Sequence, residues 1–325
     1  FDMNRIEGYR NFCNKIWNAA RFVLMNVTDR EIARGSAGMN TLSLPDRWIL
    51  SRFSRTVEAV AAHFADYRFD LAARALYEFI WNEYCDWYLE LVKPLLLDGG
   101  ASAAEQAQTR RTLITILESM LRAIHPLMPF ISEEIWQRVA PLAGACGETI
   151  MLQSWPDPSR FPVDEAAEAE LQWIQDFVLG VRQIRGEMDI PPGKRLTVLL
   201  QDATTADQQL LDVHARYLRD LARLTEIRLL PGGETPPACA TALLGNLKIL
   251  VPMAGLIDVA AERSRLEKNQ QKLSADLARI DTKLATESFV NNAPAAVVEK
   301  ERERQAALRR DLAKLDEQLK QLAAL

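Results

Sequence analysis

The side chains that most often carry out catalysis are scattered along this sequence rather than grouped. The three histidines, His63, His125 and His214, stand in separate segments, and none has the acidic partner typical of a catalytic pair. The sequence also lacks a glycine-rich phosphate-binding loop, a G-x-S-x-G nucleophile motif and an H-E-x-x-H zinc motif. We therefore expect each histidine to take part in helix packing or to lie on the surface.

Glu133 and Glu134 are the nearest approach to a pair of catalytic carboxylates. Adjacent residues of a helix point about 100° apart, so these two carboxylates cannot share a proton. We predict instead that they belong to the first turn of a helix capped by Ser132, where the helix dipole favours negative charge. The four cysteines (Cys13, Cys85, Cys146 and Cys239) are far apart and form no C-x-x-C motif. The sequence therefore predicts no catalytic residue and no metal site.

The segment 6–27 has one apolar and one polar helical face. The apolar face is predicted to form part of the core through Tyr9, Phe12, Cys13, Ile16, Ala20, Val23 and Val27. The opposite face carries Asn11, Lys15, Asn18 and Phe22, flanked by Asn14 and Arg21. An aromatic ring among amides and cations offers an unpaired base a stacking plane, hydrogen-bonding groups and positive charge. Alternatively, Phe22 packs against a neighbouring helix or the linker, and the sequence leaves this choice open.

The elements that must position this face are predicted to be mainly α-helical. Helical periodicity over 6–27, 48–64, 71–97, 113–127 and 131–139 predicts a helical bundle in residues 1–143, with the aromatic run 79–88 in its core. Residues 144–164 contain Pro156, Pro158 and Pro162, and we interpret them as a linker that wraps over the bundle. Residues 165–254 are predicted to form a small α/β domain, with helices at 165–188 and 207–224. Its strands are predicted at 196–201, 227–230, 240–244 and 247–251, with a tight hairpin turn between the last two.

Residues 255–325 show leucines at heptad spacing in two stretches separated by Asn291-Asn292-Ala293-Pro294. This pattern predicts an antiparallel coiled-coil hairpin. The predicted register sets Leu277 opposite Leu308, Leu273 opposite Leu312, and Leu266 opposite Leu319. It also mixes amide and apolar side chains in two layers, pairing Ile280 with Gln305 and Gln270 with Leu315.

Charge and hydropathy restrict the possible partners. The chain carries 39 basic and 44 acidic residues, a net charge of −5, so contact with nucleic acid must come from local basic patches. Residues 262–325 have 13 basic and 11 acidic side chains, a net charge of +2. No apolar run approaches the roughly 20 residues of a membrane-spanning helix, and unpaired cysteines suit the cytoplasm. Because the first residue is not methionine and a helical pattern is already running by residue 6, the sequence reads as a fragment of a longer protein.

Three segments resemble motifs of class I aminoacyl-tRNA synthetases. R-N-F-x-N-K-I-W-N-A-A-R-F at 10–22 is similar to the first helix of their anticodon-binding domain, and W-x-x-Y-C-D-W-Y-L-E at 81–90 is similar to its third helix. H-P-L-M-P-F-x-S-E-E-I-W at 125–136 is similar to the signature that closes this bundle. The hairpin and its F-V-N-N-A-P-x-x-V-V turn at 289–298 resemble the arm of bacterial valyl-tRNA synthetases.

The resemblance covers the whole chain and implies the tRNA-binding part of a valine–tRNA ligase, whose parent enzyme attaches valine to tRNA(Val) with ATP. The H-I-G-H and K-M-S-K-S motifs of the class are absent. The resemblance therefore implies that catalytic and editing domains lie outside this chain and act in cis, and that ATP and valine bind in that missing portion. We expect no cofactor and no activity in the fragment itself, and we expect a cytoplasmic monomer. The alternative function is a non-enzymatic scaffold whose coiled-coil arm binds proteins.

The resemblance also suggests which residues touch RNA. Lys15, Arg21 and Phe22 align with residues that meet the anticodon in this family, and Arg5 stands near another such position. With Asn14 and Asn18 they form the predicted anticodon-binding set. For the arm we expect contacts with the RNA backbone from Arg263, Arg265, Lys268 and Lys272 on the first helix and from Arg302, Arg304, Arg309 and Arg310 on the second.

Overall fold

A computed structural model describes residues 3–27, 42–97, 101–231, 234–253, 259–285 and 295–323. Within these ranges, the side chains of 3–5, 259–266, 269, 295–297, 311, 314 and 317–323 are outside the described set. The described residues are mainly α-helical with one small sheet, as the sequence predicts. None of the described helices is long and apolar enough to cross a membrane.

The helical bundle contains α1 (Met3–Asn26), α2 (Leu44–Ala65), α3 (Phe69–Glu78), a π-helical segment (Phe79–Tyr88), α4 (Leu89–Leu97), α5 (Ala103–Ile124) and α6 (Pro129–Ala143). Helix α2 begins at the predicted Leu-Pro-Asp sequence, where the Ser43 hydroxyl caps the first turn. Helix α5 begins well before the predicted residue 113, because Ser102 and Glu105 form a capping box ahead of a stretch with few apolar residues.

The bundle core confirms most of the predicted apolar face of α1. Phe12, Ile16 and Val23 are buried, but Tyr9 is exposed, so its assignment to the core is wrong. Tyr9 lies near the start of α1, where the exposed residues 6–11 show that the neighbouring helices no longer cover that face. In the aromatic run, Phe79, Tyr84 and Tyr88 are fully buried, whereas Trp81 and Trp87 are only partly buried.

Residues 144–164 wrap over the bundle in two short turns, Ile150–Leu152 and Pro158–Arg160. Phe161 is buried and meets Phe53 edge-on at a centroid distance of 4.8 Å. The Ser54 hydroxyl donates a hydrogen bond to the Pro158 carbonyl at 3.1 Å. This segment is therefore part of the packed structure rather than a loose connection.

The prediction that Ser132 caps a helix is wrong. Helix α6 begins at Pro129, and Ser132 lies inside it, where its hydroxyl donates to the Met128 carbonyl at 2.7 Å. The same hydroxyl lies 2.8 Å from His125 Nδ1, which joins α6 to the end of α5. Glu133 instead accepts one hydrogen bond from the Thr149 hydroxyl and one from the Ile150 amide, which hold the following segment against α6.

The α/β unit consists of α7 (Glu165–Glu187), β1 (Leu196–Gln201), α8 (Thr205–Leu221), β2 (Leu224–Leu229), β3 (Cys239–Leu244) and β4 (Leu247–Pro252). The strand order is β2-β1-β4-β3, in which only the β1–β2 pair is parallel. The predicted hairpin turn joins β3 to β4, with Gly245 at a φ of +58°, a conformation that favours glycine.

One hydrophobic core runs without interruption from α1 through the sheet. Polar contacts add to it where α7 meets α2. Arg47 pairs with Asp164 at 3.0 Å, and Arg55 pairs with Glu168 at 2.8 Å. The Ser51 hydroxyl also donates to Glu168. Helix α7 is therefore packed against the bundle as well as against its own sheet, and the predicted boundary at residue 164 separates segments that share one core.

The last two helices, α9 (Val259–Ala285) and α10 (Ala295–Ala323), run antiparallel. Gln270 donates to Asp316, Gln305 donates to Asp281, and Lys283 pairs with Glu301. These partners lie within one residue of the predicted register, which they support. Ile280, Val298 and Leu315 are buried between the helices. The predicted turn at 291–294 and the side chains of Leu266, Leu319 and Leu322 lie outside the described residues.

Candidate nucleic-acid interface

The exposed side of α1 carries amide and guanidinium groups. Because Ile16 and Val23 fix the opposite side of the helix in the core, the side chains of Asn14, Asn18 and Arg21 are turned toward solvent. Their spacing of four and three residues places them on one surface of the helix. We call Asn14, Asn18 and Arg21 the α1 stripe. The structure brings these three predicted residues together, whereas the side chain of Arg5 lies outside the described set.

Lys15 lies beside the α1 stripe and is held by two residues of the π-helical segment. Its ammonium group pairs with the Asp86 carboxylate and lies 4.4 Å from the centroid of the Trp81 ring. In an α-helix, two residues five positions apart would point about 140° away from each other. The i to i+5 hydrogen bonding of a π-helix brings them closer to one side, so that both reach Lys15. Lys15 is therefore oriented by a cation–π contact and an ion pair.

One of the two interpretations of the sequence places the Phe22 ring on the solvent side, free to stack on a base. The structure does not agree with that interpretation. The ring is partly buried and packs against the bundle core, and the Lys93 ammonium group lies 5.8 Å from its centroid. Lys93 also pairs with Glu90. The alternative interpretation, packing against a neighbouring helix, therefore fits better, although the Phe22 side chain is only partly buried.

Several residues around this surface were missed by the sequence reasoning. Trp81 was assigned to the core, and Asp86 and Lys93 were assigned no role, because nothing in their local sequence indicates contact with α1. Trp17 and Met25 are exposed on the other flank of α1. Their signal was present, since both residues fall outside the apolar face that the helical projection defines.

The described arm residues present an exposed surface of mixed charge. Lys268, Lys272, Arg304 and Arg310 are exposed. Two further predicted residues take part in ion pairs, Arg302 with Glu299 at 3.8 Å and Arg309 with Asp281 at 3.6 Å. The side chains of Arg263 and Arg265 lie outside the described set.

The described residues contain no arrangement suited to metal binding, since no three His, Cys, Asp or Glu side chains among them converge. Burial raises the pKa of Cys85 to about 12, so this thiol stays protonated. Burial also lowers the pKa of His214 below its usual value, and this effect outweighs the nearby Glu170 carboxylate. Both side chains are buried, His214 in α8 and Cys85 in the π-helical segment.

Two segments match models of known protein families. Residues 46–200 match the anticodon-binding domain of tRNA ligase. Residues 258–323 match the valyl tRNA synthetase tRNA binding arm. The first match runs from α2 to the end of β1, across the segment 144–164, and the second covers almost all of α9 and α10. Helix α1 precedes the first match.

Proposed function

We propose that this chain recognises the anticodon of tRNA(Val) through α1. Its matched segments belong to the aminoacyl-tRNA synthetase family and correspond to the C-terminal, tRNA-binding part of a valyl-tRNA synthetase. The arm holds the body of the same tRNA. The observation that carries tRNA binding is the presence of both matched segments in one chain. The assignment of the anticodon to α1 rests on the exposed amide and guanidinium groups of the α1 stripe.

Recognition of the anticodon falls to the α1 stripe and its neighbours. Asn14 and Asn18 offer amide donors and acceptors for base edges, and Arg21 offers positive charge for the backbone. Lys15 is already oriented by Trp81 and Asp86, so little side-chain entropy is lost when its amine meets a phosphate or a base. The partly buried Phe22 ring supplies a smaller stacking surface than a fully exposed ring would.

The arm contributes charge rather than sequence recognition. Its exposed cations, such as Lys268, Lys272, Arg304 and Arg310, match the requirements of a phosphate backbone. Valine activation and ATP binding belong to the catalytic domain of the parent ligase, a cytoplasmic enzyme that acts as a monomer. This chain contributes tRNA selection and no chemical step.

A binding titration of the 325-residue chain with tRNA(Val) and with an unrelated tRNA tests the proposal. We expect tighter binding of tRNA(Val) and a steep decrease in affinity as salt is raised. Asn18→Ala should reduce the preference for tRNA(Val), because base contacts carry specificity. Arg310→Gln should weaken binding of both tRNAs to the same extent, because a phosphate contact does not depend on sequence.

The alternative function, a protein-binding scaffold, gives a different result in the same titration. A scaffold would bind both tRNAs equally weakly, and Asn18→Ala and Arg310→Gln would change nothing. Equal affinity for the two tRNAs together with a steep salt dependence would contradict the role of α1 in recognition while leaving RNA binding intact.

A further inference from the structure

A groove of about 290 Å³ lies between α1 and α6. Trp17, Arg21 and Met25 line it from α1, where their spacing of four residues aligns them along one side of the helix. Glu134, Ile135 and Arg138 line it from α6. Trp17 and Met25 are large apolar side chains with 44% and 71% of their surface exposed. Exposed apolar side chains that cluster in a groove are typical of a ligand-binding or partner-binding surface.

The groove is separate from the contacts of Lys15 and Phe22. Those two side chains lie against the π-helical segment and α4, on one flank of α1. The groove lies on the other flank, against α6. Arg21 belongs both to the α1 stripe and to the groove lining. An RNA strand that crosses the stripe would therefore reach the groove at Arg21.

The chemistry of the lining favours a nucleotide over an apolar peptide. Trp17 offers an aromatic plane, and the two arginines offer planar donors suited to phosphate. Glu134 pairs with Arg138 at 3.1 Å, and none of the described acidic side chains pairs with Arg21. An apolar segment of a protein would bury two guanidinium groups against one carboxylate, which is unfavourable because one charge would lack a partner.

We propose that the α1–α6 groove binds one unpaired nucleotide of the RNA that α1 recognises. Its base stacks on Trp17, and its phosphate meets Arg21 and Arg138. This proposal rests on the proposed function and adds to it a second contact surface on the other flank of α1. Binding of the phosphate requires Arg138 to share its guanidinium group between the phosphate and Glu134.

Two variants of the full 325-residue chain test the two halves of this proposal, with a tRNA(Val) transcript as the probe. Trp17→Leu keeps apolar bulk but removes the stacking plane, and should weaken binding about tenfold or more without changing the salt dependence. Arg138→Gln should reduce the slope of log affinity against log salt by about 0.7, the value for one phosphate of a single strand. Trp17→Phe should restore most of the affinity that Trp17→Leu loses.

Two control variants complete the design. Tyr67→Asn removes an exposed aromatic ring from the α2–α3 turn, where φ is +57° and asparagine is well tolerated, and should leave binding unchanged. Glu134→Gln releases Arg138 from its ion pair and should leave binding equal or tighter. Unaltered thermal unfolding of Trp17→Leu, which lies outside the core, shows that its effect is not a loss of fold.

The outcomes separate this proposal from the proposed function. If tRNA(Val) binds with an affinity that depends on Asn18, but Trp17→Leu and Arg138→Gln behave like the unsubstituted chain, the groove proposal is wrong and the proposed function stands. Equal losses in Trp17→Leu and Trp17→Phe would also overturn stacking on Trp17. If the unsubstituted chain binds no tRNA, both proposals fail.

Discussion

Replacing Arg122 by methionine should lower the free energy of unfolding by about 3–5 kcal/mol, because it leaves the Glu118 carboxylate buried without its counter-ion. The side chains of Arg122 and Glu118 are only 13% and 7% exposed. The guanidinium group donates to both carboxylate oxygens, with nitrogen–oxygen distances between 2.9 and 3.1 Å. Trp136 Nε1 donates to the same carboxylate at 2.9 Å and cannot replace the lost charge.

Arg122 also has a second role that methionine cannot fill. Its Nη1 atom donates to the Ser154 carbonyl at 2.7 Å and so fastens the segment 144–164 to α5. Methionine keeps the aliphatic bulk of arginine, so the predicted loss comes from charge and hydrogen bonding rather than from a cavity.

Urea unfolding of four proteins measures this effect: the unsubstituted chain, Arg122→Met, Glu118→Gln and the double variant. In the double variant the neutral amide that replaces the Glu118 carboxylate can still accept from Trp136, and we expect most of the lost stability to return. A loss below about 1 kcal/mol in Arg122→Met would place the pair in the range of exposed salt bridges and refute the argument from burial. Strict additivity of the two single substitutions would refute the coupling.

Three further predictions concern packing and pH. Phe22→Ala should lower the free energy of unfolding by about 1–3 kcal/mol, less than the same substitution at a fully buried phenylalanine, and should also weaken tRNA binding. Unchanged urea unfolding would show that the ring does not contribute to packing. Gly180→Leu should destabilise the chain by about 1–3 kcal/mol, because even a Cβ at this position would lie 3.3 Å from the side chains of Ala242 and Ile249. A melting temperature equal to that of the unsubstituted chain would contradict this close packing. Because burial lowers the pKa of His214 in the folded state, the contribution of His214 to stability is present above the unfolded pKa of about 6.5 and is lost as pH falls below that value. His214→Gln should flatten the pH dependence of the free energy of unfolding between about pH 7 and about pH 5, and a profile identical to that of the unsubstituted chain would assign the pH dependence to other groups.

Most of the helices and strands could be predicted because the residues within each one already show its apolar spacing or its capping sequence. The apolar spacing of Ile16 and Val23 defined the core face of α1, and the Pro-Asp sequence after Leu44 defined the start of α2. The start of α5 was missed because a capping box with few apolar residues behind it gives no periodic signal. The domain bounds stay a prediction, since the core that joins α7 to the bundle depends on contacts between distant residues.

The candidate site was predicted in part for the same reason. The α1 stripe follows from helical geometry alone, and its three residues lie where the projection puts them. The ion pair of Lys15 with Asp86 could not be predicted, because it depends on π-helical geometry that brings Trp81 and Asp86 to one side. The partial burial of Phe22 against the bundle core, and its contact with Lys93, depend on residues that are far away in the sequence.

The paired amides and carboxylates of the arm have a consequence for its mechanics. Gln270 bonds to Asp316 and Gln305 bonds to Asp281, so directional contacts join α9 and α10 at two separate levels. Leucines alone would tolerate a slip of one helix by a heptad, because each leucine would meet another leucine. The amide contacts would both be lost in such a slip. They therefore fix the alignment of the two helices, and with it the spacing between the exposed cations on α9 and α10.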